Sequence, residues 1–442
     1  MSTHTEQLGH ALEQLGQQRH ALDGYRQAYA GERPAAYMSK KSRDALDSGL
    51  SRLGANYPRM LVRTMTDRLR LDGFRRGDEL DAGSWELYRS VGLVPAADRI
   101  HADRLLYGSS YVTVWGHERD PRRPVAVADS PLTVAADVDP ATGEVHSAVR
   151  SWEHAGSTHA VTYAPDVIRR YHIGMTDAPA GASAWQLVAE LGNPFGLVPV
   201  TPFIRRTSSD DYAGTSLVAD VLDLSDAVAK VLQDALVTSE HAARPRRWAT
   251  GLEIEEDDDG NVIDPFANDR KLQSESPETK FGQLAPASLD GYGTILTALL
   301  QQLGAVSGLP AHYIGTTGNE PPNADSIRAA EAQLTTAAYG EMRQLDSPWA
   351  RTAGLLHAVT NPDQLDPEQL AHELTPVWAS PEVRTPAQAA DAALKLSTIG
   401  VPLRSLLVDT LGYTPEAADA VNRAAQAESI TRAAEQLGRL RP

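Results

Sequence analysis

The sequence contains no cysteine in 442 residues. This absence excludes a disulfide framework and any metal site built on thiolates, and it is compatible with a reducing compartment. The N-terminus lacks the basic segment followed by an apolar run that marks a secretory signal. No apolar run approaches the roughly 20 residues that a membrane-spanning helix needs. We therefore expect a soluble, unexported polypeptide that has no membrane partner.

Positive charge is also scarce. The 58 Asp and Glu residues outnumber the 41 Lys and Arg residues, and the formal net charge is −17 at pH 7. Affinity for nucleic acid comes mainly from basic side chains that displace the counterions of phosphates. A chain this acidic is not expected to hold nucleic acid tightly. Its length allows two or three domains, each with a core of its own.

The sequence motifs for catalysis and metal binding are missing as well. The Gly-Thr-Thr-Gly segment at 315–318 is followed by Asn319, whereas a phosphate-binding loop requires Lys and then Ser or Thr. His154 and His159, on neighbouring strands, come nearest to a histidine pair, and no zinc-binding spacing occurs. The carboxylates of 253–264 lack the alternating frame of a calcium loop, which leaves adventitious divalent binding as an alternative to a solvated acidic hairpin. We expect no catalytic residue, no metal site and no cofactor.

The first half of the chain changes from helical to alternating patterning. Residues 4–29 follow a helical period, a second helix is expected from about Ser42, and a third precedes a short strand at Gly73-Phe74. Between Tyr107 and Phe203 the period becomes that of strands, with a hairpin turn at 139–143. We expect a mostly antiparallel sheet inserted between helical segments, which is an α+β fold.

Two apolar helices flank a short acidic segment. The first is predicted to begin at Gly214, with its apolar residues spaced alternately by four and three positions, and the second is predicted to begin at Ser288. Residues 244–286 between them are acidic, with a turn at 259–261 that indicates a hairpin. The two apolar stripes are expected to pack against each other through Leu217, Val221, Leu224, Val228, Val231, Ile295, Leu299 and Leu303.

A loop and a long Ala-rich helix follow. Gly308-Leu309-Pro310 ends the second apolar helix, residues 311–322 are small or turn-forming, and Asn323 or Asp325 caps the next helix. Closer to the C-terminus, Thr385-Pro386 and Thr414-Pro415 each place a cap residue before a proline at the first helical position. We expect a C-terminal segment of three short helices.

The order of these pieces resembles the portal proteins of long-tailed, siphovirus-like bacteriophages, in particular the actinobacteriophage portal family. The similarity is carried by GLPAHYIG at 308–315, NADSIRAAEAQL at 323–334, the helix ending in Gly73-Phe74, and the segment from Trp378 to Pro381. It covers nearly the whole chain. The resemblance implies a portal fold: a wing at 1–213, stem helix 1 at 214–243, a clip at 244–286, stem helix 2 at 287–308, a tunnel loop and long wing helix at 309–379, and a helical crown at 380–442.

The resemblance also implies a function that is not enzymatic. Portal proteins form a dodecameric ring at one capsid vertex, through which double-stranded DNA is packaged and later ejected. The expected partners are other copies of the chain, DNA, terminase, major capsid and scaffolding proteins, and head-completion adaptors. The expected location is the virion, with the host cytoplasm during assembly.

Candidate functional residues follow from that resemblance. The tunnel loop is expected to meet DNA through Ile314, Gly315, Thr316, Thr317, Gly318, Asn319 and Glu320. The clip is expected to dock adaptors through Trp248, Glu255, Asp257, Asp258 and Phe266. Three alternatives stay open: the loop is an ordinary connection between helices, the chain is a hydrolase-like α+β enzyme with a helical tail, or it is another phage head structural or adaptor protein. A measured ring mass would distinguish a portal from most monomeric enzymes.

Overall fold

The structure is a computed structural model that describes residues 3–33, 56–174, 185–243, 247–251, 277–284, 288–315, 324–362, 366–382 and 386–439. The chain divides into two compact units. The first comprises Met1–Ala30, Asn56–Leu222 and Ser307–Pro442, and the second comprises Gly31–Ala55 and Asp223–Val306. No helix within the described ranges combines the length and apolar content that crossing a membrane requires.

The first unit contains helices of very different lengths. Its N-terminal helices are α1 (Thr3–Ala30), α2 (Tyr57–Thr66), α3 (Ala82–Ser90) and α4 (Leu93–Tyr107). The second unit contributes α5 (Leu222–Ala243) and α6 (Asp290–Ser307). The first unit then continues with α7 (Ala324–Thr360), α8 (Pro367–Glu373), α9 (Pro386–Thr398), α10 (Leu403–Ser405), a π-helical turn (Leu406–Thr410) and α11 (Pro415–Arg439).

The strands of the first unit form three antiparallel sheets. β13 (Leu374–Trp378), β1 (Leu71–Arg76) and β2 (Glu79–Leu80) lie side by side in that order. The second sheet has the order β10 (Val200–Ile204), β3 (Ser109–His117), β4 (Asp120–Asp129). The third is a meander of β5 (Val134–Val138), β6 (Val145–His154), β7 (Ser157–Tyr163), β8 (Val167–Gly174) and β9 (Gln186–Gly192).

The meander is covered on both faces. On one face, α1 packs through Leu8 and Leu15 onto Ala135, Val149 and Tyr171. Successive strand residues point to opposite faces, so the alternate positions form a second cluster. That cluster contains Tyr111, Val134, Val145, Ala148, Val161, Tyr163, Val198 and Val200. The prediction of an antiparallel α+β block is confirmed, with its strands divided between two sheets rather than joined in one.

An aromatic cluster surrounds Trp349, which is fully buried in α7. The rings of Tyr88 and Phe203 meet it edge-on, at centroid distances of 5.3 and 4.9 Å. Its indole nitrogen donates a 3.0 Å hydrogen bond to Nε2 of His101. Burial lowers the pKa of His101 to about 3, so this imidazole is neutral and accepts the bond. The cluster fixes α7 against α3, α4 and β10.

Within the second unit, α5 and α6 are accompanied by a two-stranded ribbon of β11 (Arg247–Thr250) and β12 (Lys280–Gln283). The hydroxyls of Thr238 and Tyr292 lie 3.0 Å apart and link α5 to α6. Trp248 covers Gly282, where an added Cβ would lie 2.5 Å from the indole ring. The paired strands lie inside the segment 244–286 that was predicted to contain a hairpin, while the predicted turn at 259–261 lies outside the described residues.

The prediction that a helix begins at Gly214 is wrong, since α5 begins at Leu222 after a 3-10 turn at Ala219–Val221. Gly214 has φ of +90° and packs on Gly108 so closely that an added Cβ would meet the Gly108 carbonyl oxygen at 2.1 Å. The backbone N–H groups of Thr215 and Leu217 donate to the carbonyls of Arg205 and Leu105, which are distant in the chain, and not to carbonyls of a helical turn of their own. Tertiary hydrogen bonds therefore replace the first helical turns, and Leu217 lies in this loop.

His154 and His159 lie on the neighbouring strands β6 and β7, as predicted, but they do not face each other. β6 and β7 place His154 opposite Ser157, at the end of the hairpin. His159 instead stacks on Trp152 and lies 6.4 Å, centroid to centroid, from His172. The direct cross-strand register of β7 and β8 brings these two histidines together.

Candidate functional site

The segment that leads into the predicted tunnel loop is held against other parts of the first unit. Gly308, with φ of +69°, follows the end of α6. The chain then turns, with the Tyr313 N–H donating to the Pro310 carbonyl at 3.0 Å. Leu309 and Ile314 are both buried. Ile314, predicted to meet DNA, therefore fastens the start of the loop to the protein interior.

Four polar side chains meet beside this segment, and we call them the loop anchor: Arg68, His312, Tyr313 and Glu331. The Arg68 guanidinium donates to the Tyr313 hydroxyl at 3.2 Å, and this hydroxyl donates to Glu331 Oε1 at 2.8 Å. Arg68 also lies 3.6 Å from Glu331 Oε2, with both side chains about nine-tenths buried. His312 Nε2 lies 3.7 Å from Glu331 Oε1.

Arg68 reaches the loop anchor from the turn between α2 and β1. Asn56 caps α2 by accepting a hydrogen bond from the Arg59 N–H, and the helix ends at Thr66. Arg68 also donates to the Thr64 carbonyl at 3.1 Å, which orients the guanidinium. β1 then pairs with β13. The loop anchor thus joins three separate parts of the chain: the α2–β1 turn, the segment after α6, and the first turns of α7.

A second polar network fixes the middle of α7, and we call it the helix clamp: Arg104, Arg205, Glu341 and Gln344. Glu341 accepts from Arg104 at 2.5 Å and from Arg205 at 2.8 Å. The Gln344 side-chain oxygen accepts from Arg104 at 2.8 Å. Burial opposes the charge on Glu341, but the two arginines outweigh burial and hold the pKa of this carboxyl below its ordinary value.

The long helix α7 is itself irregular in its second half. It contains 37 residues, including Pro348, and is about 55 Å long at 1.5 Å per residue. Proline cannot donate the helical hydrogen bond, so it interrupts the ladder at this point. Six residues after the proline, Gly354 lies against α8, where an added Cβ would be 2.2 Å from the Pro367 carbonyl oxygen. The position and packing of α7 are therefore closely defined on both sides of the proline.

One pair of side chains has the distance of a nucleophile and its base. Ser84 Oγ lies 2.9 Å from His357 Nε2. Ser84 is fully buried, so no substrate reaches its hydroxyl. We assign the pair to the packing of α3 on α7. Among the described residues, no group of three or more His, Asp or Glu side chains is placed to hold a metal ion.

The predicted site residues fall into three groups. Of the tunnel loop, Ile314 and Gly315 are described, while Thr316, Thr317, Gly318, Asn319 and Glu320 lie outside the described residues. Of the clip set, Trp248 is 41% exposed on β11, while Glu255, Asp257, Asp258 and Phe266 lie outside the described residues.

The stem residues differ widely in burial. Val221, Val228 and Leu303 are buried, whereas Ile295 is 51% exposed. The half-buried members are Leu217, Leu224, Val231 and Leu299. Packing between the two apolar stripes stays a prediction.

Sequence reasoning missed the loop anchor and the helix clamp. Both consist of common charged residues that are far apart in the chain, and no spacing marks them. Arg68 was assigned no role, and its neighbours Arg59, Arg63 and Arg70 are indistinguishable from it in a helical pattern. Glu331 and Glu341 both fall within the Ala-rich helix and resemble its many solvated polar positions.

Comparison with known proteins agrees with this architecture. A family model described as phage portal protein, SPP1 Gp6-like, matches residues 12–435. The chain therefore belongs to the phage portal protein family. It is similar to the portal protein of Mycobacterium phage L5, with 27% identity over 388 residues that cover 83% of this chain and 77% of the relative. The portal protein of Mycobacterium phage D29 is 28% identical over 378 residues, covering 81% and 76%.

Similarity to solved structures is weaker. A chain from the virion of a native gene transfer agent particle aligns with a TM-score of 0.45 and 14% identity, covering 88% of this chain and 98% of that one. A chain from the neck of the native particle, computed with C12 symmetry, aligns with a TM-score of 0.44 and 14% identity, covering 85% and 94%.

Proposed function

We propose that this phage portal protein assembles into a ring of twelve subunits at one capsid vertex, and that double-stranded DNA enters and leaves the capsid through the ring. Family membership over residues 12–435 is the observation that carries this proposal. The ring is assembled in the host cytoplasm and becomes part of the virion. It binds terminase during packaging, the major capsid and scaffolding proteins at the vertex, and head-completion adaptors at the clip.

The charge of the chain supports a conduit rather than a DNA-binding protein. Twelve copies at −17 each carry a formal charge of −204. Such a ring repels phosphates at distances within the screening length of about 8 Å in physiological salt. A channel must pass DNA without retaining it, and a wall rich in Lys and Arg would retain the phosphates.

We propose that residues 315–320, without the buried Ile314, form the part of the ring that meets DNA. The loop anchor supports this assignment, because it holds the start of the segment and the first turns of α7 in a buried network. Thr316, Thr317 and Asn319 offer neutral hydrogen-bonding groups to phosphate oxygens, and Glu320 disfavours lasting contacts. Ile314 connects this stretch to the protein interior.

Replacing Thr316, Thr317 and Asn319 with arginine tests the assignment. If the loop faces the channel, the new guanidinium groups bind phosphates, and DNA uptake slows most at low salt. DNA packaging is measured across a salt series with otherwise intact mutant rings. A matched variant with the same residues changed to glutamine adds no charge and serves as control. Equal uptake by the arginine and glutamine variants at every ionic strength would exclude the loop from the channel wall.

A further inference from the structure

Within the loop anchor, Arg68 is held by residues that are distant from it in the chain. Arg68 lies beyond the end of α2, in the turn before β1, yet its side chain is buried against residues from two later parts of the chain. A guanidinium loses its hydration on burial and needs compensating partners. The Tyr313 hydroxyl and Glu331 provide them, one from each side of residues 316–323.

The hydrogen-bond directions in the loop anchor make the three groups interdependent. The Tyr313 hydroxyl has one proton, which it donates to Glu331, and its lone pair accepts from Arg68. The neutral Tyr313 hydroxyl therefore bridges the charged donor Arg68 and the charged acceptor Glu331. Charge-assisted hydrogen bonds are about twice as strong as neutral ones. Removing any of the three side chains deprives another buried group of one of its polar partners.

We propose that Arg68 is a positioning residue for Tyr313 and Glu331. By holding these two side chains together, it fixes the segment 308–315 against the first turns of α7 and ties both to the turn that precedes β1. The proposal rests on the proposed function only for its consequence, which is that the chain enters the proposed DNA-contacting stretch from a fixed position. Positioning itself is a property of the chain and is measured separately.

The absence of cysteine allows a direct test. Ala311→Cys, at an exposed position of the segment 308–315, introduces a unique attachment point for a nitroxide spin label, and labelled subunits are diluted with unlabelled ones in assembled rings. The electron paramagnetic resonance line shape then reports label mobility. Arg68→Met and the milder Tyr313→Phe are compared with the parent. Loss of a hydrogen bond to a charged group is expected to shift the equilibrium toward the mobile component about tenfold or more.

Two further variants separate positioning from general destabilisation. Arg70→Met removes the neighbouring arginine, whose side chain is 60% exposed in a pair with Asp72, and is expected to leave the line shape unchanged. Arg68→Lys retains the charge near Glu331 and is expected to restore part of the immobile component. Thermal unfolding of each ring shows whether the fold is intact.

The outcomes distinguish the proposal from the function it rests on. Increased mobility in Arg68→Met and Tyr313→Phe, with no change in Arg70→Met, supports the positioning role. Unchanged mobility in both variants overturns it. DNA uptake is measured on the same rings: increased mobility without any change in uptake leaves the positioning role in place and contradicts the proposed contact between the loop and DNA.

Discussion

At the scale of single residues, Glu341 is the most consequential side chain in the helix clamp. It is the shared acceptor for Arg104 and Arg205, and Arg104 is fully buried. Glu341→Gln leaves both guanidinium groups without a counterion. We expect a loss of about 3 to 5 kcal/mol in the free energy of unfolding, the usual result of removing one partner from a buried ion pair.

Urea denaturation of the purified protein measures this loss. Glu190→Gln is the matched control, because Glu190 accepts a similar 2.7 Å bond from Arg169 but has a side chain that is 53% exposed. Exposed pairs contribute at most about 1 kcal/mol. Equal effects of the two substitutions would contradict the role of the clamp.

The carboxyl group of Asp103 is expected to make the folding stability of the protein depend on pH. Burial raises its pKa to about 6, although a hydrogen bond from Ser130 and the charge of Arg99 act in the opposite direction. The folded protein then binds a proton more tightly than the unfolded chain does. The contribution of the Asp103 carboxyl to the free energy of unfolding is fully present below about pH 4 and is lost as the pH rises through about 6.

Asp103→Asn removes this titration. The variant is expected to be more stable than the parent at pH 8 by up to about 3 kcal/mol, and to lose that advantage at pH 4. Thermal unfolding at a series of pH values measures the difference. A constant difference between parent and variant from pH 4 to pH 8 would show that Asp103 titrates alike in the folded and unfolded states.

At the scale of elements, two glycines in α7 are expected to respond in opposite ways to the same substitution. At Gly354 an added Cβ would meet the Pro367 carbonyl oxygen of α8 at 2.2 Å, which forces the two helices apart. At Gly340 the nearest neighbour is the end of the Arg343 side chain at 3.8 Å. Gly340→Ala is expected to stabilise the protein by up to about 1 kcal/mol, since alanine favours helix more than glycine does.

Gly354→Ala is expected to destabilise by about 1 to 3 kcal/mol, the range for overpacking a well-filled contact. The two variants share a helix and a substitution, so they differ only in what the new methyl group meets. Chemical denaturation of both proteins decides the comparison. Stabilisation by Gly354→Ala would show that α8 moves away at little cost.

At the scale of the whole molecule, we propose that ring assembly covers an exposed apolar side chain on α6. Ile295 is 51% exposed in the single chain, although it belongs to the predicted packing stripe. If neighbouring subunits cover it in a ring, Ile295→Asp places an unpaired charge in an apolar contact, which costs several kcal/mol for each interface. We expect folded subunits that do not assemble.

Native mass spectrometry measures the assembly state, and circular dichroism measures folding. Gln301→Asp is the matched control, since Gln301 is an exposed residue on the same helix and is already polar. Normal rings from the Ile295 variant would remove this side chain from any subunit interface.

The elements that were predicted correctly from the sequence are those marked by helical periodicity or by turn and cap residues a few positions apart. The helical period of residues 4–29 corresponds to α1, and the hairpin turn at 139–143 joins β5 and β6. The prolines after Thr385 and Thr414 are the first residues of α9 and α11. Periodicity and turn chemistry act within a few residues, so they are readable without the fold. The order of these elements was enough to indicate the portal family.

Tertiary structure alone decided where α5 begins and which charged residues act together. The residues that follow Gly214 favour a helix, and nothing in the local sequence indicates that the helix starts later. The backbone takes another course there because Gly214 packs closely on Gly108. Arg68 and Glu331 are ordinary charged positions until folding removes both from water. Burial and pairing depend on residues distant in the chain, and a single sequence does not specify which distant residues will meet.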